Sequence, residues 1–253
     1  MSLEIEAGVA VVTIDRPEVR NAIGFATVDA LDAALDAINE SEAGVVVLKG
    51  AGDRAFVSGG DLKELSAIRT HEQAVAMATR VRRLLDRVAT LSVPVIAALN
   101  GHALGGGAEV AIAADIRVAA DDIKIGFNQV SLGIMPAWGG AERLATVIGR
   151  GRALLAIGTG AIYDAESASR LGLVDLVAPR KSFEDEWRSV ASRLAGTGAG
   201  TSRSVKAVVN AAVSPVHPGS EAEATELFAK LWTADAHWAA VDALDTRRRS
   251  PDK

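Results

Sequence analysis

Pro94-Val-Ile-Ala-Ala-Leu-Asn-Gly-His-Ala-Leu-Gly-Gly-Gly-Ala-Glu109 decides how this chain is read. Pro94 through Leu99 is a short apolar run, the mark of a buried strand. Asn100-Gly101 is a turn signal, and Gly105-Gly-Gly107 opens an Ala-rich segment that reads as a helix with Glu109 in its first turn. Taken whole, Val93 to Ala114 is apolar enough to suggest a membrane span. Asn100, His102, Glu109 and the glycines instead punctuate it as strand, loop and helix.

The same alternation extends in both directions. Upstream, Val9-Ala-Val-Val-Thr-Ile14 is a β-branched run that stops at Asp15-Arg16-Pro17, and Thr27 is placed to cap a helix with Val28, Leu31, Leu35 and Ile38 on one face. Val45-Val-Val-Leu48 reads as a second buried strand, followed by the loop from Gly50 to Gly60. Asp61 can cap a short helix through Leu65, and Val75, Ala78, Val81, Leu85 and Val88 mark a longer one. Downstream, Ile116–Ala119 and Ile123–Phe127 read as strands. The unit repeats roughly every 45–50 residues, which predicts an α/β fold of strand-strand-helix or strand-helix repeats. From about Leu176 the strand signals cease. Residues 181–195, 202–213 and 219–247 are helix-like, joined by Gly196-Thr-Gly-Ala-Gly200 and Ser214-Pro-Val-His-Pro-Gly219. The expected division is an α/β core over 1–178 and a helical C-terminal section over 179–253, packed on that core or on a neighbouring subunit.

Composition narrows the partners. The chain has 253 residues, 49% of them hydrophobic and 23% charged, enough apolar material for a large buried core. Its net charge of −5 supplies no general field for nucleic acid or anionic membrane, so a polyanionic ligand must meet locally clustered Lys and Arg. Without cysteine, disulfides, thiolate metal sites and a thiol nucleophile are excluded. The acidic start Met1-Ser-Leu-Glu-Ile-Glu has neither a secretory nor a transit pattern, and the reading is cytoplasmic.

Two segments carry chemistry: Ser58-Gly-Gly-Asp61 and Leu104-Gly-Gly-Gly-Ala-Glu109, each after a strand and before a helix. Two readings fit. Both are tight turns serving close packing, or they aim unpaired helix-terminal N–H groups at one oxygen that gains negative charge. The second arrangement is what acyl-transfer and enolate chemistry require. Neither loop has the spacing of a phosphate-binding or dinucleotide fingerprint.

Five ordered motifs resemble the enoyl-CoA hydratase/isomerase (crotonase) family. They are Val11-Val-Thr-Ile-Asp-Arg-Pro-Glu-Val-Arg-Asn-Ala22, Ala55-Phe-Val-Ser-Gly-Gly-Asp-Leu-Lys-Glu64, the opening stretch 94–109, Leu132-Gly-Ile-Met-Pro-Ala-Trp-Gly-Gly140 and Ala165-Glu-Ser-Ala-Ser-Arg-Leu-Gly-Leu-Val-Asp175. The resemblance implies a spiral of ββα repeats, homotrimers or hexamers, and an acyl-CoA thioester as substrate. Coenzyme A would enter as part of that substrate, with no other cofactor and no metal. By motif position, the amides of Gly60 and Gly106 would hold the thioester oxygen and Glu109 would be the acid/base. The coenzyme would be met around Ser58, Gly60, Asp61, Leu62 and Lys63, with Arg54 ahead of the loop and Arg247-Arg-Arg249 as a further source of charge. Each of these cations also fits a solvated surface side chain.

One position departs from the hydratase pattern. Counting back four from Gly133 gives Gln129, where those hydratases carry a second glutamate. An amide holds a water or a carbonyl but transfers no proton at neutral pH. Chemistry with one carboxylate survives: a hydratase- or isomerase-like lyase using Glu109 alone, or decarboxylation of an alkylmalonyl-type thioester. A non-catalytic acyl-CoA binder is the third option. RNA binding, known for a few relatives, lacks its Lys-rich helix here.

Overall fold

The chain enters as a hairpin, with β1 (Ser2–Glu6) antiparallel to β2 (Val9–Ile14) across Ala7-Gly8. The computed structural model describes residues 1–213 and 220–249. After β2 come α1 (Phe25–Asn39), β3 (Val45–Gly50), β4 (Ala55–Val57), α2 (Leu62–Leu65) and α3 (His71–Thr90). They are followed by β5 (Val95–Leu99), β6 (His102–Leu104), α4 (Gly106–Ala113), β7 (Ile116–Ala120) and β8 (Lys124–Gly126). A 3₁₀ turn at Asn128–Leu132 then leads to α5 (Gly140–Ile148), α6 (Arg150–Thr159), β9 (Ile162–Asp164), α7 (Ala165–Leu171) and β10 (Leu176–Ala178). The section after the last strand is α8 (Phe183–Gly196), α9 (Ala199–Val213), α10 (Ser220–Trp232) and α11 (Asp235–Arg249).

Three successive units, β3-β4, β5-β6 and β7-β8, each give one strand to a first sheet and the next to a second before turning into helix or 3₁₀ turn. The first sheet runs β1-β2-β3-β5-β7-β10 and the second β4-β6-β8-β9. The β2–β3, β3–β5, β5–β7 and β7–β10 pairs are parallel. This is a spiral of ββα repeats. Strands β3 and β5 are apolar throughout their buried stretches, with α8 and β4 packed on β3 and α4 and β4 on β5, the covered condition usual for parallel strands.

The C-terminal helices pack on their own chain. Helix α8 buries Phe183, Trp187, Val190 and Ala191 against the first sheet. Lys206 of α9 reaches the Val93 carbonyl at 3.1 Å and Asp115 at 2.7 Å. Helix α10 lies along α3, with Trp232 Nε1 donating to the Ile68 carbonyl at 2.9 Å, and His237 of α11 meets the Leu132 carbonyl at 2.6 Å.

Several elements differ from the sequence expectation. Strands β4 and β6 fall in segments read as loops, because three residues are too few to display a period. Helix α1 starts at Phe25 and buries Thr27 inside it. Its first N–H is capped at 3.1 Å by Glu64 Oε2 from α2, a tertiary cap that no local pattern reveals. The long helix expected over 219–247 is two helices, broken at Thr233-Ala234. The linker expected at 214–219, with His217, and the side chains of Arg247 to Arg249 lie outside the described residues. Among the described residues no helix is long and apolar enough to cross a membrane.

Candidate active site

The second glycine loop is held by close packing. Gly105 takes φ 57°, ψ −119°, a conformation closed to side-chain-bearing residues, and its carbonyl accepts from Ala108 N at 3.0 Å and Glu109 N at 3.2 Å. The helix therefore begins with the N–H groups of Gly106 and Gly107 unpaired, as every helix start does. Gly107 lies so close to β4 that a Cβ there would stand 2.7 Å from the Val57 carbonyl carbon. All eight residues of α4 are buried, which explains its run of small side chains.

The first loop is held by polar struts instead. Ile23 N donates to Gly59 O at 2.8 Å and Asp61 N donates to Ile23 O at 2.9 Å. In an extended chain successive N–H groups alternate sides, so the Gly60 N–H points away from this partner. Arg16 Nη2 donates to Asp61 Oδ2 at 2.8 Å and Arg16 Nη1 to Ala22 O at 2.7 Å. Asn21 accepts from Arg16 N at 3.0 Å while its amide donates to Ala51 O at 3.0 Å and Ala55 O at 2.8 Å.

The two loops meet. A Cβ on Gly60 would lie 3.5 Å from Trp138 Cη2, and one on Gly106 would lie 2.7 Å from the same atom. One on Gly59 would stand 3.5 Å from the Gly106 nitrogen. The Trp138 indole is thus a shared wall for both glycines. Between the loops is a cavity of about 700 Å³. Its apolar lining includes Leu65, Met77, Ile134, Trp138, Phe228 and Trp232.

Glu109 reaches this cavity from the first turn of α4 while being only 2% exposed. Its Oε2 accepts from Trp138 N at 2.7 Å and Gly140 N at 3.0 Å, and its Oε1 accepts from Gln129 Nε2 at 3.0 Å. Burial pushes its pKa from 4.5 up to about 7, while the Gly140 and Trp138 amides and Arg143 pull it back down. Both directions in which Oε2 readily accepts are filled. One accepting direction is left on Oε1, facing the cavity side of the carboxylate with no hydrogen bond to fill it. Gln129 is itself buried, and its Oε1 has no hydrogen-bond partner.

A profile of the family described as enoyl-CoA hydratase/isomerase matches residues 4–249. A short-chain-enoyl-CoA hydratase of Clostridium acetobutylicum is 33% identical over 248 residues, covering 98% of this chain and 95% of that protein. A crotonyl-CoA hydratase of Syntrophomonas wolfei is 37% identical over 212 residues, 82% of this chain and 80% of that one. The crystal structure of an enoyl-CoA hydratase from Bacillus anthracis superposes with a TM-score of 0.81 at 32% identity, covering 97% and 96% of the two chains. The chain belongs to the enoyl-CoA hydratase/isomerase family. It is an enzyme of that family with the crotonase fold.

Set against the family motifs, the cavity brings together Ser58, Gly60, Asp61, Leu62, Lys63, Gly106, Glu109 and Gln129. Arg54 is the exception. It is exposed and absent from the lining, because it precedes β4 whereas the loop follows it, and a three-residue strand spans about 10 Å. Asp61 lines the cavity, but its carboxylate is engaged by Arg16 and by the Glu64 N–H. Sequence reasoning missed Arg20, an exposed cation on the lining, and the apolar pair Phe228 and Trp232. The four-residue spacing of that pair fits one helix face but carries no sign of what the face meets. His71 pairs with Glu226 at 3.0 Å, and His102 accepts from Lys124 N at 3.0 Å, so these two histidines are apart from the cavity.

Proposed function

We propose that this enzyme binds an acyl-CoA thioester, gathers the enolate charge on the Gly60 and Gly106 amides, and moves a single proton with Glu109. The observation that carries this reading is the buried carboxylate between the two loops, with Oε2 saturated and one accepting direction open on Oε1. A titration near neutrality suits a group that must both take and return a proton. No metal and no cofactor beyond the coenzyme A of the substrate takes part.

Gln129 confines the chemistry. It contributes a neutral N–H to Glu109 and no second proton. A double-bond shift needs one base, which removes a proton from one carbon of the thioester and delivers it to another. Hydration by the same carboxylate requires Glu109 to take a proton from water as the oxygen bonds to the β-carbon and to hand that proton to the α-carbon. A missing second carboxylate slows this step by about 10²- to 10⁴-fold. The apolar lining that includes Trp138, Phe228 and Trp232 favours an acyl chain without polar groups. Lys63 and Arg20, exposed on the lining, are the local cations for the phosphates of the coenzyme.

A screen of crotonyl-, 3-enoyl- and alkylmalonyl-CoA tests the reading. Turnover is expected on the enoyl thioesters, with 3-enoyl isomerisation ahead of crotonyl hydration, and Gln129→Glu raises hydration alone. Carbon dioxide release from alkylmalonyl-CoA alone replaces this reading with decarboxylation. Binding of all three without turnover reduces the chain to a binder. A trimer or hexamer is the assembly we propose, supported by Val205, Val208 and Val209, which are 57%, 72% and 56% exposed along one face of α9. Light scattering giving a monomer would overturn it.

A further inference from the structure

The cavity residues do not act alone, because the amides that hold Glu109 are themselves held from outside. Trp138 N and Gly140 N, which fill Oε2, bracket the short stretch that carries the Trp138 carbonyl. Arg143 Nη1 donates to that carbonyl at 2.9 Å, and Arg143 Nη2 pairs with Asp86 of α3. The guanidinium lies close against the turn: a Cβ on Gly139 would stand 3.0 Å from Arg143 Cζ. Arg143 does not line the cavity, and its side chain is 17% exposed.

We infer that Arg143 is a positioning residue that fixes the Trp138-Gly-Gly140 turn on Glu109 and, by its charge, keeps that carboxylate in the form able to take a proton. The inference rests on the proposed role of Glu109 and adds what sets its working range. The geometry supplies two effects of one sign. The fork orients two N–H dipoles on Oε2, and the cation sits behind those dipoles in a buried setting where charge is weakly screened.

The other charged groups around Glu109 divide by element. On α5, Glu142 opposes Arg143 and raises the Glu109 pKa. On α3, Arg82 Nη1 holds Glu142 Oε1 at 2.7 Å, and Asp86 draws on both Arg143 and, at 3.9 Å, Arg82 Nε. The 3₁₀ turn at Asn128–Leu132 contributes the neutral Gln129. Arg143 is the one member of this set that both touches the turn and bears positive charge.

The test is the titration midpoint of Glu109 in the purified full-length protein, read from its carboxyl signal by infrared difference or carbon NMR and assigned with Glu109→Gln. Arg143→Met is expected to raise the midpoint by about one unit, and the acid limb of kcat/KM moves with it while KM above that limb stays unchanged. Arg143→Lys keeps the charge and holds the midpoint near that of the unaltered protein. Asp86→Asn removes the anion that offsets Arg143 and shifts the midpoint the opposite way. A residue that only braced the fold would lower the melting temperature of both variants without this reversal of sign. Midpoints unmoved in Arg143→Met, or displaced in the same direction by both substitutions, overturn the inference. If Arg143→Met does not fold, Arg143→Lys and Asp86→Asn decide it. Should Glu109→Gln remain active while the midpoints shift as described, the proposed role of Glu109 fails and the control by Arg143 stands.

Discussion

The two glycine loops reach the same cavity by opposite means. Loop 58–61 is aimed by side chains reaching across from other elements: Arg16 on Asp61, Asn21 on the Ala51 and Ala55 carbonyls, and Glu64 on the Phe25 N–H. Loop 105–109 is aimed by contact, with Gly107 against Val57, Gly106 against the Trp138 ring, and no side-chain cap. A strut can be loosened by degrees, whereas a close approach tolerates no added atom. The two loops should therefore fail differently.

Gly107→Ala attacks the contact-held loop and has the largest expected effect. The added methyl has a backbone neighbour that cannot move aside, so we expect loss of activity and a stability loss of at least about 3 kcal/mol, measured by urea unfolding. A variant that folds and turns over normally would show that α4 is free to slide. Next comes the stability of Glu109→Gln against pH. Burial raises this carboxyl from 4.5 to about 7, so its neutral form is the one the fold favours. Its contribution is fully present below about 4.5 and is lost as pH rises through about 7. Glu109→Gln should therefore be more stable than the unaltered protein above that range, by up to about 3 kcal/mol, with the gap closing towards acid pH. Gln129 can turn its amide and accept from the new one, which preserves the hydrogen bonding. Thermal melts at pH 5.5 and 8.5 read the difference, and a constant gap contradicts the assignment.

The strut-held loop should yield by degrees. Asp61→Asn keeps the shape but weakens the ion pair with Arg16, and kcat should fall about tenfold with less than about 1 kcal/mol of stability lost. A drop as severe as that of Gly107→Ala would erase the distinction between the loops. The smallest effect separates the two ends of the strand ahead of this loop. Lys63→Ala should raise KM for acyl-CoA several-fold, about 0.5–1 kcal/mol, while Arg54→Ala leaves it unchanged. Equal effects would return Arg54 to the ligand.

The contrast also explains what was legible in the sequence. Glycines that permit close approach are themselves the signal, so 105–107 and the buried Glu109 stood out at once. The struts are long-range pairs, Arg16 with Asp61 and Asn21 with Ala55, which no local spacing displays. Arg54 adjoins the loop along the chain but lies across β4 from it, a separation that the sequence does not display. Arg20 lay inside a quoted motif, but its exposure beside the cavity depends on how the 16–24 segment docks on Gly59 and Asp61. Phe228 and Trp232 come from a helix 120 and more residues beyond Gly106, and only the packing of α10 on α3 brings them to the cavity. The departure at Gln129 was visible as an identity. That it bonds to Glu109, rather than merely standing near it, required coordinates.

The central claim is that one carboxylate, between two amide donors, exchanges a proton with the carbon next to a thioester. The direct measurement is deuterium exchange from solvent into the α-carbon of a bound saturated acyl-CoA, followed by NMR alongside the dissociation constant. Exchange is expected in the unaltered protein and is lost by at least about 10²-fold in Glu109→Gln, with coenzyme A affinity retained. Exchange that continues at full rate in Glu109→Gln would contradict the account.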